Sequence, residues 1–144
     1  MIAIDTNILV YAHRQDAEWH DAAERAVTGL AEGTAEWAIP WPCLHEFLAI
    51  VTHPRIFKTP TPPELAFGQV DAWLESPSLV VLSENDDHFG ALRETALAAR
   101  VTGARVHDAR VAALCVAHGV RELWTADRDF SLFAGVKTRN PLAG

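Results

Sequence analysis

The chain opens with residues 1–14, MIAIDTNILVYAHR. Met1 to Ile4 is an apolar run of strand length, and Asn7 to Arg14 follows a helical pattern. Between them stand Asp5, Thr6 and Asn7, a carboxylate and two small polar residues where the strand ends. That junction decides the fold: a buried strand runs directly into a helix, with an acid at its carboxyl end. Taken singly, Asp5 or Asn7 is an ordinary helix cap.

The same alternation continues along the chain. A second helical pattern runs from Glu18 to Ala31 and closes at Gly33, and Glu36 to Ile39 reads as a strand. Pro42 marks a helix start, and Leu44, Phe47, Leu48 and Val51 recur at i, i+3, i+4 and i+7 until Pro54 ends the helix. The loop TPTPPE, Thr59 to Glu64, leads into a helix over Pro63 to Glu75. A strand at Leu79 to Leu82, a helix over Asp87 to Arg100 broken by Gly103, and a helix over His107 to His118 follow. Glu122 to Thr125 and Val136 to Thr138 complete the strands. Strands separated by helices predict a three-layer α/β/α fold with a central, mainly parallel sheet. No linker divides the 144 residues, so a single domain over 1–144 is expected.

Composition excludes several classes. A hydrophobic fraction of 49% with 22% charged residues is that of a globular chain, not a disordered one. No apolar run reaches the roughly 20 residues that span a bilayer, and no basic stretch precedes an apolar one at the N-terminus, so a cytoplasmic protein without a membrane partner is expected. Cys43 and Cys115 lie in apolar helical patterns without a CxxC pair and read as reduced, buried thiols. Cys115 and His118 have ligand-like spacing, but no second cluster completes a zinc site.

Several acids fall where acids are expensive. In an open parallel sheet, ligands bind beyond the carboxyl ends of the strands. Asp5 ends the first strand, Asp127 and Asp129 follow the strand at 122–125 within TADRDF, and Asp108 opens the helix beginning near His107. Glu46 lies mid-helix in PWPCLHEFLAIV, about 160° from Leu44, on a helix that looks apolar on both faces and therefore sandwiched. Each has an ordinary alternative: Asp108 as a cap, Asp127 and Asp129 as turn residues, Glu46 as an exposed or Arg-paired acid. If four carboxylates meet about 6 Å apart, each pair repels by roughly 3 kcal/mol at an effective dielectric of about 20. Such a cluster must take up protons or hold cations. All-oxygen ligation favours Mg²⁺ or Mn²⁺, and a hard cation with open positions points to phosphoryl chemistry.

The ordered set IDTNIL, HEF, HDA and TADRDF, from Ile4 to Phe130, resembles the PIN-domain family, and its size and LWTADRDF segment resemble the VapC ribonuclease toxins of bacterial toxin–antitoxin pairs. The resemblance implies that Asp5, Glu46, Asp108 and Asp127 bind one or two Mg²⁺ and position a water on an RNA phosphodiester. It also implies that Asp129 is a less regular fifth acid, and that Asn7 and Thr125 hydrogen-bond the acids or their water. It further implies a homodimer neutralised by a cognate antitoxin, in a heterotetramer or larger assembly, with the antitoxin covering the acidic site. Trp19, Trp37, Trp41 and Phe57 are available for such an interface or for the core.

A net charge of −7 argues at first against an RNA partner. Setting the five acids aside leaves only −2, and ten of the twelve basic residues are Arg, suited to phosphate. Arg14, Arg110 and Arg128 lie near candidate ligands in sequence and are the candidate RNA contacts, with His13, His53 and Arg55 as weaker ones. His107 adjoins Asp108 and could assist proton transfer, although metal-assisted hydrolysis needs no His base. Competing readings are another Mg²⁺-dependent, phosphatase-like enzyme or a catalytically silent PIN-like binding module. The first lacks a second acid in Asp5-Thr6-Asn7, and Lys58 and Lys137 are the only lysines.

Overall fold

The computed structural model describes residues 1–143. β1 (Ile2–Ile4) passes through Asp5 into α1 (Thr6–His13), and α2 (His20–Ala31) returns to β2 (Trp37–Pro40). There follow α3 (Trp41–Val51), α4 (Pro63–Leu74), β3 (Leu79–Leu82), α5 (His88–Ala99), α6 (Arg105–Ala117) and β4 (Glu122–Trp124). A short 3-10 helix (Arg128–Leu132) and β5 (Thr138–Arg139) close the order. All pairings are parallel, in the order β3-β2-β1-β4-β5, and flanking helices make the three-layer α/β/α arrangement that the alternation predicts.

The order places β1 at the centre and reverses direction there. From β1 the chain builds outward through β2 to β3, then crosses to β4 on the other side. The carboxyl ends of β1 and β4 therefore flank the switch point, where a parallel sheet leaves a crevice. The Asp5 amide donates to the Trp124 carbonyl at 3.0 Å, so the two strand ends are tied at that place.

The centre of the sheet is buried, and β2 is buried along its whole length. Ala3, Ile4, Trp37, Ala38, Ile39, Leu82 and Leu123 are fully enclosed, and Trp37 satisfies its indole N–H on Ser76 Oγ at 3.1 Å. On α3, Cys43, Leu44, Phe47 and Val51 face this core, and Phe47 meets Trp73 edge to face at 4.8 Å. Both cysteines are free and buried. Of the aromatics weighed for core or interface, Trp37 is core, Phe57 is half-buried under Arg14, and Trp19 and Trp41 are exposed. Among the described residues no helix is long and apolar enough to cross a membrane.

Element bounds shift from expectation by one or two residues, in two places for a clear reason. α6 begins at Arg105, two residues before His107, because Gly103 turns the chain in a left-handed conformation (φ 59°) directly ahead of Ala104. The last strand is Thr138–Arg139 rather than 136–138, since Val136 turns into the core instead. The expectation that α3 is sandwiched is also corrected. Only one face packs, on β2, α1, α4 and α6, while Trp41, His45, Glu46 and Ala49 are exposed.

Candidate active site

Asp5 is placed by the backbone before its chemistry is considered. It is the N-cap of α1, with Oδ1 accepting the Thr6 amide at 2.8 Å. The Cys43 thiol donates to the same oxygen at 3.6 Å, and Oδ2 accepts Thr125 Oγ1 at 2.8 Å and Asn7 Nδ2 at 3.3 Å. Asp5 is only 7% exposed, so those donors stand in for water. Burial nevertheless dominates and lifts its pKa above the ordinary value, with Asp127 adding repulsion.

Asn7 and Thr125 connect the two halves of the site. Asn7 Nδ2 also reaches Thr125 Oγ1 at 3.1 Å, and its Oδ1 accepts the Ala126 amide at 3.0 Å. Thr125 Oγ1 in turn accepts the Asp127 amide at 3.0 Å. Asp127 caps the 3-10 helix, Oδ1 accepting the Asp129 amide at 2.9 Å. The cap reading and the site reading thus describe the same side chains.

Asp108 is different. The N-cap of α6 is Ala104, so Asp108 lies in the helix's first turn and does not cap it. Its carboxylate turns to a cleft lined by Glu46, Ala104, Arg105, His107 and Asp127. Partial burial raises its pKa, helped by the charges of Asp127, Asp5 and Asp129 and opposed by Arg105. Glu46, from α3, is raised by partial desolvation, then by Asp5 and Asp108, with His107 opposing. Glu46, Asp108 and Asp127 line this cleft, while Asp5 is buried behind it and acts on Glu46 and Asp108 through its charge. Asp129 stands at the cleft's exposed rim.

The arginines sort differently from expectation. Arg14 is held by Asp16, the Thr59 carbonyl and Thr61, stacks on Phe57 at 4.1 Å, and does not line the cleft. Arg110 lies about 200° round α6 from Asp108 and pairs with Glu84. Arg128 is exposed beside Asp127. His13 is pinned by Gln69 and Thr61, and His53 accepts the Arg55 amide. Sequence reading passed over Arg105, which pairs with both Asp108 and Asp129. Its i, i+3 spacing from Asp108 was the available signal. The Cys43 thiol on Asp5 had no signal at all, since the two meet only in the fold.

A family model described as the PIN domain matches residues 2–136. The chain belongs to the PIN-domain family. Among its relatives are Ribonuclease VapC48 of Mycobacterium tuberculosis, 30% identical over 97% of both chains, and VapC ribonuclease Mb2897 of Mycobacterium bovis, 34% identical over all of this chain and 97% of that one. The PIN fold is shared with VapBC2 from Rickettsia felis bound to a promoter DNA fragment (TM-score 0.70, 21% identity, 97% of this chain and 98% of that one). It is shared too with Mycobacterium tuberculosis VapC20, a sarcin-ricin loop cleaving toxin (TM-score 0.69, 19% identity, 95% and 99%).

The donors of this PIN domain's cleft are carboxylates with one histidine at the side, a set that fits a hard divalent cation. Among the described residues no three His, Cys, Asp or Glu side chains form a ready-made cage. Mg²⁺ does not need one, because it keeps several waters and binds through one or two carboxylates.

Proposed function

We propose that this chain is a Mg²⁺-dependent endoribonuclease toxin, with Mn²⁺ as a substitute, neutralised by a cognate antitoxin. The observation that carries the reading is a cleft lined by Glu46, Asp108 and Asp127 with the buried Asp5 close enough to raise the pKa of Glu46 and Asp108. Carboxylates that raise one another's pKa are a poor arrangement for stability and a good one for binding a cation. Relatives named ribonucleases, 30–34% identical over nearly the whole chain, support RNA as the substrate.

Asp5, Asp108, Asp127 and Glu46 would hold the cation, with Asp129 at the rim. Mg²⁺ bound there supplies a Lewis acid that lowers the pKa of a water and neutralises charge on a phosphate oxygen. The chain's own residues fix the geometry. Thr6 and Cys43 on one oxygen of Asp5, and Thr125 and Asn7 on the other, leave its carboxylate little freedom to turn. Hydrolysis breaks one P–O ester bond as water adds to phosphorus, leaving a phosphate on one fragment and a hydroxyl on the other. His107 lies within the cleft and is free to relay a proton.

In the same reading two copies pair as a homodimer, and an antitoxin segment covers the acidic cleft within a heterotetramer or larger complex. Exposed Trp41, Leu65 and Phe67 supply apolar surface for such contacts. Purified protein is expected to cleave a structured RNA with Mg²⁺ or Mn²⁺, to stop in EDTA, and to lose activity as Asp5→Ala or Asp108→Ala. Cleavage that survives either substitution marks a contaminating nuclease and overturns the reading; RNA binding without cleavage marks a silent module.

A further inference from the structure

Among the described residues, Arg105 is the only Lys or Arg lining the acidic cleft. It stands in the first turn of α6, one helical turn before Asp108, and the Gly103 turn delivers it there. One guanidinium nitrogen, Nη1, lies 3.5 Å from Asp108 Oδ2, and the other, Nη2, bonds Asp129 Oδ2. The side chain therefore bridges α6 to the 3-10 helix after β4, across the face of the cleft that Asp127 shares. A guanidinium between two carboxylates does electrically what a divalent cation would do in the same place.

We propose that Arg105 is the cleft's resident counter-cation, which must give up Asp108 when a divalent cation binds and so sets how tightly that cation is held. The inference rests on the reading of the cleft as a cation-dependent site. Three observations support it. Arg105 Nη1 lies 3.5 Å from Asp108 Oδ2, so its charge acts on a candidate ligand directly. The pair is shallow, with the Arg105 side chain 39% exposed and Asp129 54% exposed, so the guanidinium can swing to solvent without leaving a buried charge behind. The remaining charged groups on the cleft, apart from His107, are all acids that repel one another. Removing the Arg leaves the cluster less neutralised and more attractive to a cation.

A purely structural ion pair predicts the opposite sign, since loosening the α6 start would weaken cation binding. The test is Mn²⁺ binding to the RNA-free protein, followed by electron paramagnetic resonance, with folding checked by circular dichroism. Arg105→Gln is expected to bind Mn²⁺ about 3- to 10-fold more tightly than wild type, as expected for losing one nearby charge in a partly solvated site. Arg105→Lys, which keeps the charge, is expected to stay within about 2-fold of wild type. Equal or weaker binding by a folded Arg105→Gln protein overturns the proposal while leaving the site reading intact. Absence of Mn²⁺ binding by wild type, Arg105→Gln and Arg105→Lys alike overturns the site reading, and the proposal with it.

Discussion

Thr125 Oγ1 donates to Asp5 Oδ2 at 2.8 Å, joining the end of β4 to the end of β1 across 120 positions of sequence. The same hydroxyl accepts the Asp127 amide, so one threonine sets the spacing of two acids. Thr125→Val keeps the shape and removes both interactions along with the hydrogen bond from Asn7 Nδ2. RNA cleavage is expected to fall about 10- to 100-fold, with about 1.5–3 kcal/mol of stability lost from the hydrogen bond to a buried carboxylate. Thr125→Ser is expected to recover most of both in parallel kinetic and thermal-melt measurements.

Raised carboxyl pKa values fix a sign for the pH dependence of stability. Asp5, Asp108 and Glu46 hold their protons in the folded state to higher pH than the ordinary 3.8, 3.8 and 4.5 of the unfolded chain. Unfolding therefore releases protons, and stability falls as pH rises from those values through the raised ones. In the absence of divalent cation, Asp108→Asn is expected to melt a few degrees higher than wild type at pH 8, and the difference should shrink toward pH 4. A gap that widens on acidification would contradict the assignment.

Phe47 anchors the helix that carries Glu46. It is fully buried, with Trp73 at 4.8 Å and His13 at 5.3 Å, so Phe47→Ala is expected to cost about 3–5 kcal/mol in urea unfolding. Glu46→Gln, on the exposed face of the same helix, should change stability far less than it changes cleavage.

Of the three arginines considered as RNA contacts, only Arg128 stays open beside the cleft. Arg128→Ala is expected to weaken binding of a non-cleaved RNA several-fold and to lower the salt slope by about one phosphate contact. Arg110→Ala, which breaks an exposed pair with Glu84, should leave that slope unchanged.

The strand-to-helix junction at Asp5 was legible because an apolar run, a capping acid and a helical period coincide within fourteen residues. β2, β3 and β4 were legible for the same reason: buried parallel strands read as short apolar runs. The strand order was not, since nothing local says that β4 returns to β1. The packing of α3 was not legible, because an apolar helix face reads alike whether it meets a second layer or fronts a cleft. Arg105 was passed over because its two partners lie on different elements, and only one of them is near in sequence.

The central claim is that this acidic cleft cuts RNA with a divalent cation, and Asp108→Asn tests it most directly. Asp108 makes only a 3.5 Å contact with Arg105 and caps nothing, so the near-isosteric amide removes charge without removing structure. Single-turnover cleavage of a defined structured RNA at saturating Mg²⁺ is predicted to fall about 100-fold or more, with the fold retained by circular dichroism. Cleavage by folded Asp108→Asn protein at the wild-type rate would contradict it.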